Sequence, residues 1–416
     1  MRSWLRRSVA RARLTAGPKE RKQSATGPVV ALQFQGSARW TPRDYASLAR
    51  EGFEQNAVAY RCVRMIAEAG ASVAWVLIDG ARELDTHPLL SLLNRPNPHQ
   101  SGPEFFEAWY GYLQVSGNGY LEAVGLEGNI RELFALRPDR MKVVPGDDGW
   151  PEAFDYTVAG STVRFDQKPM PGVRPVVPIY HMALFHPTDD HYGLSPIEAA
   201  AMAIDIHNSA SRWNKALLDN SARPSGALVY AGAGSSSHLS DDQFGRLKAE
   251  LEGAYQGAMN AGRPMLLEGG IEWKAMGYSP RDMDFIEAKH VAAREIALAF
   301  GVPPMLLGIP GDNTFSNYQE ANRTFWRQTV LPLVAKTAKA LEGWLAPAFG
   351  GDLRLGYAID RIEALSTERE ALWNRVGRAA YLTANEKRAA VGYQPLGPAG
   401  DRQPGAVDAG APPANR

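Results

Sequence analysis

The sequence has one cysteine among 416 residues, Cys62, so neither a disulfide framework nor a cysteine metal cluster can form within a chain. Cys62 lies in a helical pattern beside Val63, Met65 and Ile66, which predicts a buried structural thiol. Long apolar runs are also missing: none approaches the roughly 20 residues of a spanning helix, and no signal-peptide block opens the chain. No membrane is therefore expected as a partner, and folding in a reducing cytoplasm is. Excess charge of either sign is absent, with Lys plus Arg and Asp plus Glu at 45 each. Any contact with nucleic acid must then be local. Finally, there is no Gly-x-x-x-x-Gly-Lys-Ser/Thr loop, no Gly-x-Ser-x-Gly elbow and no catalytic cysteine signature. Gly232-Ala-Gly234 lacks the spacing, lysine and βαβ context of a nucleotide site. No cofactor and no enzyme activity are expected.

What is present is an ordinary globular composition, 45% hydrophobic, long enough for two or three packed regions. Residues Met1 to Lys22 carry Arg2, Arg6, Arg7, Arg11 and Arg13 among eight cations against Glu20 alone. Such a block reads as a disordered basic arm, and its arginines as contacts for phosphates or an acidic partner. From Asn56 the pattern turns globular. Val58, Cys62, Met65, Ile66 and Ala69 mark a helix, and Ser72 to Ile78 alternates as a strand. Pro103 to Val115 reads as a helix whose Phe105, Phe106, Trp109, Tyr110 and Leu113 supply core bulk. Five short strands follow, Gly119–Val124, Ile130–Leu136, Met141–Val144, Phe154–Ala159 and Thr162–Phe165, without intervening helices. That succession predicts a mostly antiparallel α+β block.

A long helix from Pro196 to about Ser221 comes next, with Ser195 as cap, Pro196 in the first turn and Arg223-Pro224 as stop. A small insert follows: strand Gly226–Tyr230, a flexible Ala231–Ser237 linker, a helix from Ser240, and strands Met265–Leu267 and Ile271–Met276. The next helix, Asp282 to Phe300, carries Phe285, Ala288, Ala292, Ile296 and Ala299 at spacings of three and four. Gly301, Val302, Pro303 and Pro304 end it sharply. A polar turn, Pro310, Gly311, Asp312, Asn313, Thr314, Phe315, Ser316 and Asn317, leads to a longer helix with Pro332 in its middle, where a kink is expected. Pro347 to Gly351 breaks that helix, a strand lies at Leu353–Tyr357, and Thr367–Leu382 is helical. Thr383 with Glu386 caps a last helix, and no structure is assigned from Pro395 to Arg416.

A helix ending in FGVPPMLLG, then NTFSNYQEANRTFWRQTVLP and a long helix, resembles the portal proteins of tailed bacteriophages, in the HK97-type family. HPLLSLLNRPNP, GNGYLE, LRPDRM, YGLSPIEAA, NSARPSGALVY and LTANEKR extend the resemblance in family order, from Asn56 to Pro395. It implies an α+β subunit of a closed ring, twelve copies in the virion, at one capsid vertex. Within the subunit it implies an N-terminal arm (1–45), a wing (46–193), a stem helix (194–223), a clip (224–280) and a second stem helix (281–301). A channel loop (302–317), a kinked helix (318–346), a C-terminal wing or short crown region (347–394) and a tail (395–416) complete it. Double-stranded DNA, bound without sequence specificity, would pass the ring. Terminase, the major capsid protein and a head-tail connector would dock on it, after assembly in the bacterial cytoplasm. The source would be a phage, a prophage or a gene transfer agent. The loop has no Lys or Arg, as suits a wall that surrounds a polyanion without gripping it.

A competing reading is a metal-dependent hydrolase built on His186, Asp189, Asp190 and His191, a local cluster of metal-ligand types. The spacing matches no zinc motif, and a turn leading to the Ser195 cap explains the same residues, so no metal site is expected.

Overall fold

The computed structural model describes residues 40–80, 82–126, 129–170, 176–219, 226–230, 242, 245–246, 271–275, 285–310, 315–393 and 395–401. Helix α1 (Tyr45–Leu48) runs directly into a π-helical stretch, Ala49–Glu54. Helix α2 (Ala57–Ala71) starts at Asn56, whose side-chain oxygen accepts from the amides of Val58 and Ala59 at 3.1 and 3.0 Å. Then come β1 (Trp75–Asp79), β2 (Arg82–Leu84), α3 (Pro88–Asn94) and α4 (Gly102–Ser116). A reciprocal Ser101–Glu104 cap opens α4 and left-handed Gly117 closes it. Six strands follow: β3 (Asn118–Leu126), β4 (Asn129–Leu136), β5 (Met141–Pro145), β6 (Pro151–Val158), β7 (Ser161–Asp166) and β8 (Ile179–Ala183). The chain continues through α5 (Pro196–Ala199), α6 (Ala201–Asp219), β9 (Gly226–Tyr230), β10 (Ile271–Ala275) and α7 (Phe285–Ala299). It ends with α8 (Phe315–Phe325), α9 (Leu331–Phe349), β11 (Leu353–Tyr357), α10 (Ser366–Arg378) and α11 (Ala384–Ala390).

Among the described residues all strand pairs are antiparallel, in sheets ordered β4-β3-β8, β5-β6-β7, β11-β1-β2 and β10-β9. The β11–β1 register, Trp75 opposite Tyr357 through Asp79 opposite Leu353, stitches the C-terminal part onto the first strand of the body. The main core lies between α2, α4 and α9, where Cys62, Ile66, Phe105, Trp109, Leu341 and Leu345 are fully buried. Trp109 donates its indole N–H to Thr337 Oγ1 at 3.4 Å, and Trp344 donates to the Val177 carbonyl at 2.9 Å. Gly119 is fixed by this packing, since a Cβ there would stand 2.6 Å from the Trp109 ring.

The antiparallel α+β reading, the aromatic core of α4, the buried Cys62 and the Thr383–Glu386 cap all hold. Several boundaries differ. The helix expected from Pro196 is interrupted at Ala200, giving α5 and α6. Pro347 lies inside α9, which ends at Gly350 with φ 72° rather than at the proline. The α-helical pattern breaks immediately before Pro332, where the kink is expected. Trp326–Val330 is π-helical and runs without a gap into α9, so Pro332 lies inside one continuous helical rod, and its missing N–H and its ring fall at the end of the π-helical turn. Thr41 lies within the stretch read as an unstructured arm, yet its amide donates to Asp205 at 2.9 Å. The arginines of residues 1–22, Arg223 and Pro224, the strand Met265–Leu267, nearly all of the helix expected from Ser240 and most of the tail lie outside the described residues.

Candidate functional site

The end of α7 is a complete left-handed stop. Gly301, at φ 65°, donates to the Leu298 carbonyl at 3.0 Å, and Val302 donates to Ala297 at 2.9 Å, the paired bonds of a Schellman motif. Ala297 and Val302 are both buried, which supplies the apolar contact that accompanies it. Thr329, within the π-helical stretch, donates its hydroxyl to the Gly301 carbonyl at 2.6 Å. A Cβ at position 301 would stand 2.9 Å from that hydroxyl. The extra residue per turn of a π-helix thus sits where the α8–α9 rod meets the end of α7.

Pro303 turns the chain into a 3₁₀ segment, Pro304–Leu307, closed by left-handed Gly308. Ile309 then plugs a small apolar site with Ala293 and Ala297 of α7. Arg294, next to Ala293 on that helix, donates through Nη2 to the Pro310 carbonyl at 2.7 Å. The entry to the polar turn is therefore clamped to α7 by one buried side chain and one charged hydrogen bond. Gly311, Asp312, Asn313 and Thr314 lie outside the described residues. Phe315, Ser316 and Asn317, expected in the turn, instead form the first turn of α8, because helical periodicity begins at Phe315 rather than after Asn317. Farther along α8, Arg323 reaches Glu320 at 2.8 Å and Glu368 at 3.4 Å, and Arg327 reaches Glu368 at 3.1 Å. From Val302 to Pro310 no side chain is ionisable.

The structure brings Gly301, Val302, Pro303, Pro304 and Pro310 together as one mount and sets Pro332 apart in α9. Sequence reasoning missed Arg294, Ile309 and Thr329. Ile309 could have been found as an apolar residue bracketed by Gly308 and Pro310, but the other two contacts join distant segments.

The four candidate metal ligands do not converge. His186 Nδ1 accepts from the Thr188 amide at 3.2 Å, and one Asp189 oxygen accepts from the amides of His191 and Tyr192 at 2.8 and 2.9 Å. Those backbone bonds hold the Asp189 carboxyl below the usual range. Ser195 then accepts from the Glu198 amide at 3.0 Å to start α5. Among the described residues no three His, Cys, Asp or Glu side chains stand close enough to share a metal ion. Nearby, His181 stacks on Tyr120 at 4.3 Å and meets Asn118 Oδ1 at 3.0 Å; burial, helped by His191, pushes its pKa down to about 4.

Residues 57–392 match the family model for phage portal proteins. This chain belongs to the phage portal protein family. The portal protein of Enterobacteria phage HK97 is 26% identical to it over 390 residues, 91% of this chain and 86% of its own. A chain in the neck of an empty gene transfer agent particle, in C6 symmetry, is 54% identical with a TM-score of 0.69, covering 89% of this portal chain and 100% of itself. Another, from the neck of the native particle in C12 symmetry, is 54% identical with a TM-score of 0.66, covering 86% and 97%. Portal proteins are structural and not enzymes, which overturns the hydrolase reading that His186, Asp189, Asp190 and His191 invited.

Proposed function

We propose that this portal subunit builds a ring at one vertex of a gene transfer agent or phage-like particle, and that the ring passes double-stranded DNA. The observation that carries the ring is the outer face of the α6–α7 pair. Small residues, Ala203, Ala210 and Ala292, are buried on the two packed helices, while Met202, Ile206, Val291 and Leu298 stand exposed. Leu298 is 78% exposed and Met202 58%. Apolar side chains repeated along the solvent side of two packed helices call for a cover, and a second copy supplies one by the same rotation each time. The C12 symmetry of the native gene transfer agent neck supports twelve copies.

In this reading α6 and α7 are the stem, β9 and β10 belong to the clip, and residues 46–193 with 347–394 form the wing. The turn Pro310 to Asn317 would face the channel, its base held by Arg294, Ile309 and Thr329. A firm base with an uncharged approach fits a wall past which phosphates slide, since each cationic contact would add salt-sensitive grip. Terminase, the major capsid protein and a head-tail connector are the proposed docking partners, at the particle's portal vertex.

Native mass spectrometry and end-on electron microscopy of the purified chain test the ring: a closed assembly with a central hole is expected, and a monomer at micromolar concentration under every assembly condition would overturn it. Deleting residues 312–316 should leave rings intact and impair DNA retention in particles; loss of the ring itself would remove the channel role from that turn.

A further inference from the structure

Away from the loop, the α10–α11 corner gathers positive charge and aromatic rings. Arg375 and Arg378 lie three residues apart in the last turn of α10, both exposed. Neither has a carboxylate within ion-pair distance among the described residues. Lys387 of α11 donates to the Gly377 carbonyl at 3.3 Å, which places its ammonium at the same end of α10. The local carboxylates are engaged elsewhere: Glu368 with Arg323 and Arg327, and Glu386 with the Thr383 amide at 2.8 Å. Glu370 stands more than a turn before Arg375 and well round the helix from it. Trp373, Tyr381 and Tyr393 are exposed beside these cations, Tyr381 by 78%. Arg369 lies 5.7 Å from the Trp373 ring centroid and Arg388 5.5 Å from that of Tyr393.

We propose that this corner is a second contact for the phosphate backbone of double-stranded DNA, with Arg375 and Arg378 as its charged pair and Lys387 behind them. The proposal rests on the reading above that the subunit meets DNA. Cations at a helix C-terminus do complement its dipole, but that end repels a phosphate, so attraction there must come from the side chains. Guanidiniums free of carboxylates can take phosphate oxygens by two parallel N–H bonds. A formally neutral chain gives no long-range field, so such a contact acts within a Debye length of about 8 Å. The channel approach, Val302 to Pro310, has no ionisable side chain, whereas this corner has three clustered cations; grip and slide are thus placed on different parts of one subunit.

Binding of the full chain to a blunt duplex, followed by fluorescence anisotropy from low to physiological salt, tests it. Arg375→Ala with Arg378→Ala should weaken binding on the order of tenfold at low salt. The slope of log affinity against log salt should fall by about 2, close to 0.9 per lost phosphate contact. Arg375→Lys with Arg378→Lys should keep the slope, and deleting residues 312–316 should leave it unchanged. An alanine pair with the parent slope, or a parent chain with no affinity for duplex even at low salt, overturns the contact. Neither result touches the conduit reading, which needs no affinity and stands or falls on the ring. Should the alanine pair fail to assemble, Arg375→Gln with Arg378→Gln is read in the same titration.

Discussion

Two helix pairs in this chain use the same backbone geometry and finish differently. In the α2–α4 pair, Ile66, Phe106, Trp109 and Tyr110 fill the inside, and on the outside Arg64 bonds Glu107 at 2.7 Å and also Glu68. That surface ends in ion pairs that water accepts. The α6–α7 pair has mostly alanine and isoleucine inside, and Met202, Ile206, Val291 and Leu298 outside. Its outer side sets these apolar side chains among exposed Glu287, Glu295 and Arg212. A buried polar seam joins the two pairs: the Asn56 amide meets His207 Nδ1 at 3.1 Å and Asn208 Oδ1 at 2.9 Å, and Asn208 donates to the Glu51 carbonyl at 2.8 Å. One half of the subunit is thus complete by itself, and in the proposed ring a second copy would complete the other.

If that division is right, damage to the first pair should unfold the chain. Trp109→Ala removes a fully buried indole, its bond to Thr337 and the ring that Gly119 was shaped around. Cavity and transfer costs together predict a loss of about 3–5 kcal/mol, a large part of a domain's stability. Urea denaturation of the unassembled chain checks this; a loss below about 1 kcal/mol would mean that the α2–α4 core is not the anchor.

Acid should weaken both halves. His181 has a folded-state pKa lowered to about 4, first by burial and then by His191. Between its ordinary value near 6.5 and about 4 the unfolded chain binds the extra proton, so stability from the neutral imidazole is present above about pH 6.5 and lost as pH falls toward 4. The full effect is about 3 kcal/mol. His207, also lowered by burial and then by Lys289, acts in the same direction. Urea midpoints at pH 7.5, 5.5 and 4.5 should fall together, and His181→Gln should flatten that fall. An equally steep fall in the variant would assign acid sensitivity to other groups.

The sequence reveals the complete half better than the extended one, for a physical reason. Phe105, Phe106, Trp109, Tyr110 and Leu113 announce α4 because burial repeats at helical spacing, and Ser195 and Thr383 announce helix starts because a cap bonds three residues on. The pairing of β11 with β1, and the pairing of β8 with β3, join segments tens to hundreds of residues apart and leave no local pattern. The loop mount is of the same kind. Gly301 and its prolines mark the stop, but Thr329 and Arg294 become partners only when α7 and the α8–α9 rod are laid together. Pro332 marks a break in the α-helical ladder, but that the break takes the form of a π-helical turn over Trp326–Val330 depends on packing against the end of α7 and leaves no local pattern.

A smaller effect should follow at that mount. Gly301→Ala forces a side chain into left-handed backbone and against Thr329, which predicts a loss of about 1–2 kcal/mol. Thr329→Val, which removes the 2.6 Å bond to Gly301, predicts about 1 kcal/mol. Both should leave ring mass unchanged and show as faster proteolysis near residues 311–314. Cleavage at the parent rate would mean that the mount does not restrain the turn.

The smallest effect on the chain itself is the one that decides between the two pairs. Leu298→Glu replaces a side chain that is 78% exposed in the single subunit, so it removes little burial and should change chain stability by about 0.5 kcal/mol or less. In a ring the same carboxylate would enter an apolar contact repeated at every interface, where an unpaired charge must be desolvated. The matched change on the other pair is Arg64→Ala, which removes one partner from an ion-paired, water-facing surface and should leave assembly alone. Mass measurement on both variants therefore separates the faces: monomers from Leu298→Glu and rings from Arg64→Ala place the interface on the outer side of α6–α7, whereas rings from both would leave that apolar side facing something other than a second copy.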